Sequence, residues 1–480
     1  MRLATRIAPR LRALGLVACA GAGLALPGAA AERGLAARLE RALQHPALRG
    51  ARVAALVVDR AEGHVLFARE SERALVPASN QKILTAVAAL ARFGPTHSFS
   101  TEVLADAPPD AAGAVKLLAV RGGGDPSLTS EQLWRLVADL RAAGLRRVRG
   151  GLVLDDAAFA EPRWHPSWGA TSARSYHAPV GALSVNYSAF AVDVRPGPRL
   201  GEPAEVALDP PVAFLRLVNR AVTGGSRGRG PLAVERAAGP GGEEVVVKGS
   251  LPLGAGPRQF QRSVLDPTRY AGAVLREQLA AQGIPVEGET RVGPVPEGAV
   301  RLLAFEGKPL AEVVRLFMKY SNNLIGETLV KQLGAAASGQ PGSWENGIPA
   351  LRAALEEVGL ATEGLVLVDG SGLSYENRVP PRAFVEALRL AAGSFAFGPE
   401  FAASLPIAAT DGTLARRAAG AANRVRAKTG LLTRVTTLSG FARLADGSDA
   451  VFSLLVNGAR SSSPRVIAAV DGFVAALVSE

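Results

Sequence analysis

Pro77-Ala78-Ser79-Asn80-Gln81-Lys82-Ile83-Leu84-Thr85-Ala86-Val87-Ala88-Ala89-Leu90 is the stretch on which the reading of this 480-residue chain turns. A proline precedes a run with no helix breaker before Gly94, so the pattern predicts a helix over Asn80–Phe93 with Ser79 at its N-terminus. Lys82 follows one turn later on the same face, which sets an amine beside the hydroxyl at the positive end of the helix dipole. Lysine is scarce: seven of the 54 basic residues, at 82, 116, 248, 308, 319, 331 and 428, the rest being arginine. The distinction is chemical, because a guanidinium keeps its proton whereas a buried or crowded ammonium gives it up.

A second scarce lysine opens Lys428-Thr429-Gly430. Composition alone predicts about 0.4 occurrences of S-x-x-K and about 0.03 of K-T-G in such a chain; each occurs once. Together they describe a serine hydrolase. Ser79 supplies the nucleophile, which needs a base to hold its proton. Lys82 serves if partial burial and the positive charge of Lys428 lower its pKa. Lys428, on an edge strand, is expected to be a permanent cation for a substrate carboxylate. Thr429 adds a hydrogen bond, Gly430 lets backbone approach backbone, and the N–H groups of Ser79 and Leu431 would form an oxyanion hole. Ser321-Asn322-Asn323 offers a hydroxyl to relay a proton to the leaving amine and an amide to hold the substrate backbone. Ser184-Val185-Asn186 repeats that pattern, but in strand-rich surroundings; Ser321 lies in a break between helices expected over Leu310–Lys319 and Leu324–Leu333 and is preferred.

Outward from these motifs the chain divides by texture. Arg52–Asp59 reads as a buried strand, followed by a turn at Ala61-Glu62-Gly63 and a strand over His64–Ala68. From Thr96 to Pro296 short strands alternate with Gly/Pro-rich breaks: Val115–Val120, Gly151–Leu154, Glu205–Leu208, Leu232–Arg236 and Glu244–Val247, with a helix over Tyr270–Gln282. Helices are expected at Ile348–Val358 and Pro381–Ala392, strands at Arg424–Leu431, Val435–Leu444 and Val451–Val456, and an amphipathic helix over Arg465–Val478. The class is α+β. The N-terminal hairpin and the three C-terminal strands would form one antiparallel sheet with helices packed on it, giving a domain from 32–95 and 303–480 interrupted by an insertion of one or two strand-rich modules over 96–302.

Hydrophobic content of 48% and charged content of 20% suit a globular protein. Arg2, Arg6, Arg10 and Arg12, the apolar run Ala13–Leu26 and Ala29-Ala30-Ala31 form an export signal cut before Glu32. Cys19, the one cysteine, lies inside it, in a Leu16-Val17-Ala18-Cys19 context that is also compatible with lipidation. Otherwise the mature chain has no thiol. Removing residues 1–31 lowers the net charge from +11 to +7, a mild field that suits an anionic wall polymer or peripheral contact with a membrane surface. Dispersed charge and 5% aromatics argue against a nucleic-acid module. The five histidines show no metal-ligand spacing, so neither metal nor other cofactor is expected. A Ser-His-Asp hydrolase would leave both lysine motifs unexplained. Trp164, Trp168 and Tyr176 read as loop anchors ahead of a glycan-binding surface.

The chain resembles the type-4 penicillin-binding proteins, the D-alanyl-D-alanine carboxypeptidase/endopeptidases, over residues 35–478. Besides the three catalytic motifs, the resemblance rests on Gly124-Asp125-Pro126-Ser127-Leu128, Asp369-Gly370-Ser371-Gly372-Leu373-Ser374, Thr410-Asp411-Gly412-Thr413-Leu414 and the long insertion. It implies a penicillin-binding, β-lactamase-like domain in which Ser79 is acylated by peptidoglycan peptides ending in D-Ala-D-Ala, releases D-Ala and is freed by water, with β-lactams as covalent inhibitors. Some relatives also cut cross-links. Leu431 stands where the family often has a hydroxyl residue, and Tyr375 where relatives that grip diaminopimelate carry arginine, with Arg378 three further on. Asp156 and Phe159 resemble the insertion's part of that subsite, and Asp369–Ser374 is expected as a turn at the site's rim. A β-lactamase or esterase on the same scaffold, or a non-catalytic wall-binding protein, are the alternatives.

Overall fold

A computed structural model describes residues 27–225 and 230–480. The expected leader through Leu26, with Cys19, and the 226–229 part of the glycine-rich break lie outside the described residues. The expected cleavage site, Ala29-Ala30-Ala31, falls in the first turns of helix Pro27–Leu43.

The strand Arg52–Asp59 organises the molecule. It is apolar at nearly every position because both of its faces are covered: Ala54, Leu56 and Val58 point into one hydrophobic core, Val53, Ala55 and Val57 into another. An antiparallel strand with one wet face would alternate instead. It pairs with Val65–Arg69 on one side and with Asp449–Asn457 on the other, in a register from Arg52 opposite Asn457 to Asp59 opposite Ala450. Val435–Arg443 and then Val425–Leu432 complete a five-stranded sheet whose neighbours are all antiparallel. The expected sheet is therefore present, and Lys428 is on its edge strand.

Helices Pro27–Leu43 and Ser463–Val478 cover one face. On the other, helix Gln81–Phe93 is surrounded by Leu310–Tyr320, Asn323–Ser338, Trp344–Glu357 and Pro381–Gly393. Every residue from Gln81 to Leu90 is buried, which explains the absence of an exposed polar stripe in its sequence. Gly94 ends this helix with φ +79°, a conformation that costs glycine little.

Residues between these halves build a mixed sheet in the order Thr290–Val292, Leu152–Asp155, Leu118–Gly122, Ser100–Ala105, Val300–Glu306, with helices Ser130–Ala142 and Pro267–Ala281. Two three-stranded sheets follow: Leu215–Gly224, Gly242–Pro252, Ala233–Gly239, and Arg258–Ser263, Ala189–Arg195, Glu205–Asp209. All share one apolar core. Two details differ from the sequence reading. Val115–Val120 is two strands, because Asp106 Oδ1 accepts hydrogen bonds from the backbone of both Lys116 and Leu117 and kinks the run. Val300–Glu306, which a boundary at 303 would cut, pairs with Ser100–Ala105. Helix Ser130–Ala142 was legible but unread: Leu133, Leu136, Val137 and Leu140 carry the 3.6-residue period.

Candidate active site

The turn bearing Ser79 is clamped to the sheet before its helix begins. Asn457 accepts from Val76 N at 2.9 Å and donates to Val76 O at 3.1 Å. Thr437 Oγ1 donates to Pro77 O at 2.8 Å, and Asn80 Nδ2 to Ser439 Oγ at 2.5 Å. The strand carrying Lys428 presses close on the other side. A Cβ on Gly430 would meet Thr437 Oγ1 at 2.1 Å and Ser79 N at 3.0 Å, so this approach requires glycine.

Lys82 is fully buried, with Nζ 3.0 Å from Ser79 Oγ, 2.7 Å from Asn323 Oδ1 and 2.6 Å from Ser371 O. Two of these partners are carbonyl oxygens and can only accept. They take two N–H groups and leave the third direction of the nitrogen facing the Ser79 hydroxyl. Burial lowers the Lys82 pKa to about 7, against the upward pull of Glu327 and Asp369. The expected depression is present, but desolvation supplies it ahead of any like charge.

Lys428 is also fully buried and donates to Ser321 Oγ at 2.9 Å and Thr429 O at 2.7 Å. Burial first, then Lys82 and Arg417, push its pKa well below the ordinary lysine value. A hydroxyl and a carbonyl do not compensate a buried charge, so the cation expected at Lys428 has no countercharge beside it.

Ser321 ends helix Leu310–Tyr320 in the left-handed region (φ 57°, ψ 37°), uncommon for a residue with a Cβ. The Asn322 side chain then caps the next helix by accepting from Ile325 N at 3.2 Å. Lys319 braces this break from behind, donating to Leu405 O at 2.7 Å and Asp411 Oδ2 at 2.5 Å. From the same stretch as Asp411, Thr413 accepts from Thr429 Oγ1 at 2.7 Å. Asn323 lines the cleft, and its amide also links Lys82 to the insertion by donating to Tyr176 O at 2.9 Å. Asn186, in the rival motif, bonds Ser130 and belongs to the insertion's interior.

Ser79, Ser321, Asn323, Tyr375 and Leu431 line one cleft of about 480 Å³. A larger cavity of about 700 Å³, bordered by Arg60, Glu386 and Arg389, contains none of these groups. The insertion contributes Trp168 and Tyr176 to the cleft wall. Ser167 Oγ donates to Ser374 Oγ at 2.8 Å and Trp168 Nε1 to Asp369 Oδ2 at 2.9 Å. Trp164 anchors this segment through His177 O at 2.8 Å. Asp156 and Phe159 are not among the lining residues. Asp156 is engaged by Arg163 at 2.8 Å and Leu183 N at 2.5 Å, and Phe159 is buried with Lys331 Nζ 5.8 Å from its ring centre. Tyr375 forms the rim, where its hydroxyl accepts from Thr433 N at 2.9 Å. Arg378 donates to Tyr375 O at 2.5 Å and to Asn377 O at 2.8 Å and does not line the cleft itself.

Within Asp369–Ser374, Gly372 and Leu373 line the cleft as expected of a rim turn, and the rest supports the site from beneath. Asp369 and Ser371 are fully buried, Ser371 O receives Lys82, and Gly370 O receives Thr85 Oγ1 at 2.7 Å. Beneath lies Glu327, absent from the sequence reading. It accepts from Ser371 N at 2.8 Å, Gly370 N at 3.1 Å and Trp344 Nε1 at 2.8 Å. The available signal was its spacing, four residues from Asn323 on the same helix and flanked by Leu324, Ile325, Leu329 and Val330. No group of three or more His, Cys, Asp or Glu is placed to hold a metal among the described residues.

This arrangement has counterparts. Residues 35–477 match the D-Ala-D-Ala carboxypeptidase 3 (S13) family. The chain belongs to that family. It is 37% identical over 446 residues to a D-alanyl-D-alanine carboxypeptidase of Actinomadura sp. (strain R39), covering 89% of this chain and 82% of the relative. It is 28% identical over 389 residues to the D-alanyl-D-alanine carboxypeptidase DacB of Haemophilus influenzae, covering 80% and 81%. The crystal structure of penicillin binding protein 4 from Haemophilus influenzae superimposes with a TM-score of 0.78 at 25% identity, covering 91% of this chain and 97% of that one. The same relative complexed with a β-lactam gives 0.74. The α+β penicillin-binding architecture expected from the sequence is the architecture of this S13 chain.

Proposed function

We propose that this S13 enzyme is a serine D-Ala-D-Ala carboxypeptidase acting on peptidoglycan stem peptides through Ser79. The observation that carries the reading is Lys82 Nζ at 3.0 Å from Ser79 Oγ, with two carbonyls occupying its other directions. Neutral Lys82 takes the hydroxyl proton as Oγ bonds to the carbonyl carbon of the penultimate D-Ala. The backbone N–H groups of Ser79 and Leu431 receive the oxyanion. As the C–N bond breaks, the proton taken by Lys82 passes to the departing amine through the hydroxyl of Ser321, which Lys428 Nζ holds at 2.9 Å, so both lysines end the step in the states in which they began it. Water then hydrolyses the ester and restores Ser79. The terminal carboxylate lies at Lys428 and Thr429, and an arriving anion supplies the countercharge that Lys428 lacks. β-Lactams acylate the same serine.

The exposed rim at Tyr375 leaves room for action on cross-linked peptides, and activity belongs outside the cytoplasm, where such substrates are. Among the described residues no helix is long and apolar enough to cross a membrane. We divide the chain into a catalytic domain of residues 32–95 and 308–480 and an insertion of 96–307, moved past the strand Val300–Glu306.

Labelled penicillin tests the reading. The native protein should give one covalent adduct, placed at Ser79 by peptide mapping, and Ser79→Ala none; an adduct surviving in Ser79→Ala sinks it. Incubation with D-Ala-D-Ala peptides should release D-Ala, and loss of muropeptide dimers would establish endopeptidase action as well.

A further inference from the structure

We propose that Glu327 is a positioning residue for Lys82: its carboxylate fixes the loop that receives a Lys82 N–H and stabilises the ammonium formed when Ser79 gives up its proton. This rests on the reading of Lys82 as the base.

Glu327 is completely buried, on a helix whose neighbouring residues Leu324, Ile325, Leu329 and Val330 are core. A carboxyl group there is costly unless its hydrogen bonds are met. All three of its partners are donors: Ser371 N, Gly370 N and the Trp344 indole. A carboxylate accepts all three, whereas a protonated acid would add a donor to a shell made of donors. The site is therefore shaped for the anion.

Two routes connect this anion to the base. The first is mechanical. Glu327 holds the backbone N–H of Ser371, and the carbonyl of that residue receives Lys82 at 2.6 Å. One turn earlier on the same helix, Asn323 supplies the other carbonyl at 2.7 Å. The second is electrostatic. Lys82 is faced by Glu327 from this helix, Asp369 from the loop and Lys428 from the edge strand. Glu327 is faced in turn by Lys82, Asp369 and Lys331, with His165 packed against Trp344 at 5.0 Å between ring centres. Burial and Asp369 push the Glu327 pKa up while its three donors oppose them; its charge raises Lys82, which burial would otherwise drive lower. As Ser79 attacks, positive charge appears on Lys82 in a dry environment, where a fixed anion is most effective.

The test is the pH profile of acylation by labelled penicillin, with thermal unfolding measured alongside. Acylation requires neutral Lys82, so the native rate should rise with pH through a midpoint near the Lys82 value of about 7. Glu327→Gln should move the midpoint down by on the order of one pH unit and lower the plateau about tenfold to a hundredfold. Glu327→Asp, which restores the charge, should return the midpoint close to native. A loop staple alone would lower stability and plateau in both variants with the midpoint unmoved, which overturns the proposal. If Glu327→Gln does not fold, Trp344→Phe removes one donor from the carboxylate; a smaller downward shift supports the proposal and an unmoved midpoint overturns it. A native protein that forms no adduct overturns the proposed function itself.

Discussion

Lys82 and Lys428 lie on opposite sides of one cleft, equally buried, and their surroundings differ in charge. The pocket around Lys82 has two carbonyl acceptors and, beyond them, Glu327 and Asp369. The pocket around Lys428 has a hydroxyl, a carbonyl, and Lys82 and Arg417 as the charges that act on it. Burial lowers the proton affinity of both, and the neighbouring charges then act in opposite directions, raising it at Lys82 and lowering it further at Lys428. One is tuned to exchange a proton near neutrality. The other is a site whose charge is completed by an incoming anion.

The sharpest way to break this contrast is Lys82→Arg. A guanidinium cannot act as base at working pH, so acylation by penicillin should fall about 10²- to 10⁴-fold, read by stopped-flow or gel labelling; a variant acylated at the native rate would remove Lys82 from its role. Lys428→Met comes next. It should cost carboxylate-bearing substrates about tenfold to a hundredfold in kcat/KM, the loss of a charged hydrogen bond, and cost an ester lacking that carboxylate much less. Equal losses on both substrates would erase the distinction between the two lysines. Lys428→Arg should retain part of the activity on carboxylate substrates. Gly430→Ala sharpens the geometry that brings the pockets together: the added methyl should lower stability by about 1–3 kcal/mol and slow acylation, checked by denaturant unfolding and penicillin labelling. Tyr375→Phe should matter least. It removes two exposed hydrogen bonds with Thr433, one accepted from its N–H at 2.9 Å and a long one donated to its carbonyl at 3.5 Å, together about 1 kcal/mol, and the labelling rate should stay within about threefold.

What could be read in the sequence follows from how local the signal is. Ser79 and Lys82 are one helical turn apart, and Lys-Thr-Gly is contiguous, so short patterns carried them. The two-sided burial of Arg52–Asp59 is written in its own unbroken apolar run. Glu327 was missed because a lone glutamate on a helix ordinarily faces water; only the fold places Gly370, Ser371 and Trp344 around it. The rim position of Gly372 and Leu373 follows from loop-forming residues in the segment, whereas the burial of Asp369 and Ser371 depends on packing against the helix that carries Lys82. Asp156 and Phe159 were tied to the cleft by resemblance, but Arg163 and Lys331 hold them in the insertion's base. The segment that reaches the cleft carries Trp168 and Tyr176 instead. The full burial of Lys428 is not legible either, because sequence does not show how completely an edge strand is dehydrated.

The pairing of Arg52–Asp59 with Asp449–Asn457 also has a temporal consequence. The nucleophile is made early in synthesis, but the strands that clamp its turn and present the second lysine arrive last. Contacts this distant in sequence are slow to close, and domains otherwise fold as units from the N-terminus onward. The insertion, with its own apolar core, is complete long before its host. A chain delivered in stages should therefore stay inert toward β-lactams until its final strands emerge, with the onset of penicillin labelling as the measure of maturation.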